Sequence, residues 1–146
     1  MSPEVHPLHP MSVHAPLACF IFTPLADAAA ALTGVREFWF ASALTAAGVL
    51  VFGLAAATLG ALDFAKAHAI APKTVTWHAS LMASALLVEA VGVLGRITPE
   101  MQVITPAPSL SLFAGAVALL IAAAGGYLGG NLVYRHGVNV APRRKL

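Results

Sequence analysis

The chain has 146 residues, 59% of them apolar and 10% charged, with a mean hydropathy of +0.83. Soluble domains carry roughly 25% charge, so this composition excludes an ordinary soluble domain and describes one membrane domain over residues 1–146. A formal charge of +2 gives no basis for nucleic-acid binding, and the single Cys19 excludes an internal disulfide, a CxxCH haem attachment and an iron–sulfur site.

A spanning helix needs about 20 mostly apolar residues, and four segments meet that requirement. Before the first, His6 and His9 sit in a stretch with no positive side chain ahead of Arg36, which argues against a cleavable signal peptide. The first span, residues 13–32, opens near His14 and carries Asp27. Pro16 and Pro24 can bend it, so the relative facing of His14 and Asp27 is open. Cys19 reads as a small buried hydrophobe.

The second span, residues 38–62, places Thr45 and Asp63 18 positions apart, five whole turns and hence one face. A charged connection, 63–74, is expected to follow, holding Lys66, His68 and Lys73. The third span, residues 75–94, begins beside His78. Glu89 points within about 20° of His78, and Arg96 lies five turns from it. Ionisable groups in a bilayer face a partner or a cavity, so this stripe is expected to face the bundle interior. Asp27 and Glu89 read first as structural, pairing with Arg36, Arg96, Ser42 or Thr45. Proton or ion handling is the alternative.

The fourth span, residues 109–134, contains Gly125-Gly126-Tyr127-Leu128-Gly129-Gly130, two overlapping GxxxG spacings that favour close helix packing. Tyr127, Asn131 and Tyr134 share one strip on it. His136 follows, and then the basic tail Arg143-Arg144-Lys145.

These elements predict an all-α integral membrane four-helix bundle of up-down-up-down topology, with both termini on one side. That side holds Lys66, Lys73, Arg135, Arg143, Arg144 and Lys145, against Arg36 and Arg96 on the other. The positive-inside rule then makes the histidine end cytoplasmic, N-in and C-in, with the bias leaning on the tail. All six histidines fall at that end.

Several stretches resemble a bacterial membrane family catalogued as domain of unknown function 2231. They are the opening His9-Pro10-Met11-Ser12-Val13-His14-Ala15-Pro16-Leu17 followed by Asp27, the segment Gly60-Ala61-Leu62-Asp63, and His78 at the start of a span. The tail Gly129-Gly130-Asn131-Leu132-Val133-Tyr134-Arg135-His136-Gly137-Val138-Asn139-Val140 is the most specific match. The resemblance covers nearly the whole chain and implies a bacterial inner-membrane protein. Some relatives are fused to Rieske-type iron–sulfur domains, which implies a redox setting. This chain has no such domain, so its electron partner would be a separate redox protein or a quinone.

Imidazole is the commonest side-chain ligand for haem iron and borderline metals. His14 with His78 is the first expected ligand pair, His136 the main substitute and His9 the next. Tyr134, Asn131 and Asp63 are the right types to orient imidazoles or bond propionates. The expected function is a small cytochrome b-like electron-transfer protein binding haem b. A non-haem Zn, Cu or Fe site, or a non-redox accessory subunit of a larger membrane complex, is the alternative. A homo-oligomer is also expected from the glycine surface. No hydrolase, phosphate-loop or zinc-protease signature is present.

Overall fold

The computed structural model describes residues 8–140, and His6 and the Arg143–Arg144–Lys145 tail lie outside the described residues. It is all-α: a short helix α1 (Leu8–Ser12), then α2 (His14–Thr33), α3 (Arg36–Ile70), α4 (Pro72–Leu94) and α5 (Ser109–Tyr134). Four helical segments are long and apolar enough to cross a membrane, Leu8–Thr33 together forming the first.

Local chemistry sets the ends. Gly34 stops α2 in the left-handed region at φ 71°, its N–H bonded to the Ala30 carbonyl at 2.9 Å. Pro72 opens α4 at a position where a missing N–H costs nothing. Gly137, at φ 65°, closes α5, with Val138 N–H returning to the Leu132 carbonyl at 2.9 Å.

One predicted connection is corrected. Residues 63–70 are not a loop but the last two turns of α3, which continues to Ile70 and leaves Ala71 alone between it and α4. Asp63-Phe64-Ala65-Lys66-Ala67-His68-Ala69-Ile70 is alanine-rich and contains no breaker until Pro72, so helix propagation costs little. Ala67 is buried against Ala71, Val75, Leu132 and Val138, which anchors the extension. At 1.5 Å per residue α3 is roughly 50 Å long, beyond a hydrocarbon core of about 30 Å, so its charged end projects past the apolar layer.

Consecutive long helices run antiparallel, as their paired residues show. Thr23 bonds Thr45 and Asp27 bonds Ser42 between α2 and α3, while His78 reaches Gly125 and Gly92 faces Ala114 between α4 and α5. The interior is built from small side chains. Ala46, Ala85, Ala118 and Ala122 are fully buried with Phe20 and Val49, whereas Leu44, Leu87, Leu94 and Leu120 point outward. Small residues inside and large ones outside are what helix association in lipid favours. Gly53 lies under Leu86, and Gly125 under Met82 and Leu81; a Cβ at either would collide. Gly126 and Gly130, the other GxxxG pair, have nothing within 4 Å.

The two halves repeat. Shifting the chain by 69 residues, the separation of Asp27 and Arg96, superposes the buried positions of one hairpin on those of the other. Pro16, Phe20, Thr23 and Asp27 on α2 correspond to Ala85, Glu89, Gly92 and Arg96. Ser42, Ala46, Val49, Gly53 and Ala56 on α3 correspond to Ser111, Gly115, Ala118, Ala122 and Gly125. Every residue in both sets is buried. Helix pairs repeated in parallel within one chain are a recurring membrane architecture.

Candidate functional site

Two polar layers interrupt the apolar interior, and both are formed by residues equivalent under the 69-residue repeat. The first holds His9 and His78. Their rings stand with centroids 6.2 Å apart and planes at 69°. His9 donates from Nδ1 to the Ala56 carbonyl at 2.8 Å, and His78 donates from Nδ1 to the Gly125 carbonyl at 2.8 Å, each acceptor 47 residues further along the chain. A carbonyl only accepts, so Nδ1 carries the hydrogen in each ring and the neutral imidazole keeps its lone pair on Nε2. One helical turn beyond each acceptor stands a glycine. A Cβ on Gly60 would lie 3.0 Å from His9 Cε1, and one on Gly129 would lie 3.0 Å from His78 Cε1. The glycines thus give each ring its seat on the neighbouring helix.

Of the other imidazoles predicted as candidates, His14 is exposed with Nδ1 on the Met11 carbonyl at 3.1 Å. His136 is exposed too, its Nε2 3.5 Å from Thr74 Oγ1. His68 packs at 5.6 Å against Phe64. The predicted orienting groups point elsewhere. Asp63 accepts from Asn139 Nδ2 at 2.8 Å, and Asn139 Oδ1 accepts from Lys66 at 3.1 Å, tying α3 to the end of the described chain. Tyr134 is exposed, and Asn131 is half-buried on the same helix. Thus the structure brings His9 and His78 together and leaves His14 and His136 apart from them.

The second layer is an ion pair. Arg96 reaches Asp27 as a two-pronged fork, Nη1 to Oδ1 at 2.8 Å and Nη2 to Oδ2 at 2.6 Å. Ser42 Oγ donates to Asp27 Oδ1 and accepts from Arg96 Nη1 at 2.7 Å. The carbonyl of Ser111, the repeat partner of Ser42, receives Nη2 at 3.4 Å. Arg96 and Asp27 are both buried, so the stripe from His78 through Glu89 to Arg96 faces inward as its spacing predicts. Arg36 lies instead 5.1 Å over the Phe40 ring, out at the surface. Glu89, 1% exposed, sits between the layers, and neither of its carboxyl oxygens has a hydrogen-bond partner.

Sequence reasoning ranked His9 last among the ligand candidates because it precedes the first apolar run. The signal that finds it is the internal repeat: His9, Asp27, Ser42 and Gly60 recur as His78, Arg96, Ser111 and Gly129 without a single insertion. Repeat-equivalent residues that touch one another meet as they would across a two-fold axis. His9 against His78 and Asp27 against Arg96 both do so.

Among the described residues no three His, Cys, Asp or Glu side chains converge as a metal site would require. The second layer holds its charges by pairing, while in the first the Nε2 atoms of His9 and His78 have no hydrogen-bond partner among the described residues. Neither a curated protein nor a solved structure matches the chain. A family model does, described as "Predicted membrane protein (DUF2231)", and it matches residues 5–142, nearly the whole length, so the chain belongs to that family.

Proposed function

We propose that this membrane protein is a small b-type cytochrome that takes its haem iron between His9 and His78. The observation that carries the reading is the imidazole pair, two rings whose Nδ1–H groups are fixed on helix carbonyls and whose centroids are 6.2 Å apart. Two metal–nitrogen bonds of about 2.0 Å, with about 1 Å more from each nitrogen to its ring centre, span about 6 Å. Two histidines are also the number that a b-type haem in a helical bundle takes, whereas structural zinc takes four ligands. A fixed Nδ1–H sets the tautomer and ring orientation of a ligating histidine and raises its basicity.

Gly60 and Gly129 seat the two imidazoles, which a Cβ at either position would crowd. Lys66, Lys73 and Arg135 belong to the same end of the bundle and supply cations for acidic substituents there. Haem b, when bound, would supply a one-electron couple, exchanged with a separate redox protein or a quinone. His9 takes the place of His14 in this reading because His14 is turned outward. The basic balance of this end supports reading it as the cytoplasmic side of a bacterial inner membrane, N-in and C-in.

The deciding experiment is the reduced-minus-oxidised spectrum of detergent-purified protein expressed with haem supplementation. The α-band and Soret difference are expected in the wild type, in His14→Ala and in His136→Ala, and are lost in His9→Ala and His78→Ala. A colourless, iron-free wild type leaves the imidazoles as helix-packing groups of an accessory membrane subunit and overturns the proposal.

A further inference from the structure

Glu89 is the buried ionisable group that neither layer uses. It lies on α4 about 16 Å beyond His78 and about 10 Å before Arg96, at 1.5 Å per residue. Its repeat equivalent is Phe20, so the carboxyl occupies a place that the other hairpin gives to an aromatic ring. It is 1% exposed with both oxygens unpartnered, and the nearby Arg96 Nε and Ser111 Oγ are buried without partners as well.

The charges around it do not balance. From α2 it is faced by Asp27, and from its own chain end by Arg96. α5 contributes no charged side chain, and the charged residues of α3 lie at its two ends, Arg36 and Glu37 exposed at one, Asp63, Lys66 and His68 at the other. Both terminal nitrogens of Arg96 are committed to Asp27 and Ser42. Two carboxyls therefore share one guanidinium. An uncompensated charge in a bilayer costs several kcal/mol, and a single bound proton makes the group of three neutral.

We propose that Glu89 is a proton-binding site of the membrane interior, its carboxyl taking and releasing one proton while the Asp27–Arg96 pair stays ionised. Arg96 Nε and Ser111 Oγ are further buried polar atoms without a partner among the described residues. The site stands on this geometry alone and does not depend on a haem at the histidine layer.

Infrared difference spectroscopy of the protein in lipid nanodiscs, stepped over a wide range of pH, tests the assignment. The expected result is a carboxylic-acid carbonyl band that shifts in deuterium oxide and vanishes in Glu89→Gln. The same band persists in Glu37→Gln and Glu100→Gln. Isotope-labelled glutamate in the unmutated protein shifts the band and isotope-labelled aspartate leaves it in place, so the result does not hinge on the variant folding. No glutamate-dependent band would overturn the proposal. A band that follows sodium concentration rather than pH would also overturn it, making Glu89 a metal-cation site.

Discussion

His9 and His78 hold the same place in two successive copies of one helix hairpin, and their rings meet where the copies face each other. Each ring lies over a glycine one turn past its carbonyl acceptor. On α5 the next residue along, Gly130, has no neighbour within 4 Å.

Adjacent glycines therefore make opposite predictions. Gly130→Ala adds a methyl to open space and trades glycine for the best helix former, a gain of about 1 kcal/mol at most. Gly129→Ala gains the same propensity but pushes its Cβ against His78, and overpacking costs typically 1–3 kcal/mol. Thermal unfolding in detergent should show Gly130→Ala at or above wild type and Gly129→Ala at or below it. Gly60→Ala should match Gly129→Ala, because His9 sits on it in the same way. If the His9–His78 pair holds haem, the two seat variants alter the oxidised spectrum and Gly130→Ala does not.

The Asp27–Arg96 pair is a buried ion pair held by two parallel hydrogen bonds. Removing one member strands the other, which costs about 3–5 kcal/mol for a buried ion pair. Arg96→Gln should destabilise by that order in unfolding titrations, and Asp27→Asn by less, because Glu89 can take the freed Arg96 fork. The double variant Asp27→Leu with Arg96→Met should cost clearly less than the sum, since no charge is left without its partner. Additive losses would show that the two side chains act separately. Ser42→Ala should cost less than either, about 1–3 kcal/mol, the usual loss for a hydrogen bond to a charged group.

Hydropathy was enough to read the four spans, because lipid demands about 20 apolar residues whatever the tertiary packing. The inward stripe of Glu89 and Arg96 was legible for a similar reason: helical spacing fixes a face, and charge fixes which way that face turns. The end of α3 was not. Asp63, Lys66 and His68 suggested a loop by their charge, but charge ends an apolar layer rather than a helix, and the alanines between them keep the helix going. His9 ranks behind His14 and His136 when depth is read from where hydropathy begins, whereas α1 carries it back over α3 to the Ala56 carbonyl. The internal repeat held that information in the residue numbers, since a ligand-type residue that recurs at the repeat spacing is brought to face its own equivalent.

The extension of α3 is open to hydrogen exchange. Amides of residues 64–70 should exchange slowly as part of a continuous helix, and Ala67→Pro should release them by removing one N–H and clashing with the preceding turn. The cost should be about 3 kcal/mol or more, because Ala67 also packs against Val75 and Leu132. Asn139→Ala should loosen only the outermost turn, since it breaks the links to Asp63 and Lys66 without touching that cluster. Fast exchange over the whole of residues 64–70 in the wild type would restore the loop.

An electron placed on the histidine layer and a proton placed on Glu89 would compensate each other within one low-dielectric bundle. If the His9–His78 pair holds haem, adding the electron favours the bound proton, so the midpoint potential should fall as pH rises. One proton taken up per electron sets a ceiling of about 59 mV per pH unit. The separation of the layers, about 16 Å along α4, makes the coupling partial, so a slope well under that ceiling is expected. In Glu89→Gln the slope contributed by this site disappears while the haem spectrum remains, because the substitution leaves His9, His78 and their glycine seats alone. Asp27→Asn gives a different result. It frees the Arg96 fork for Glu89, which then has a cation of its own and no longer needs the proton, so the slope is again lost. Redox potentiometry at several pH values on the three proteins separates these cases. An unchanged slope in Glu89→Gln would place the proton elsewhere.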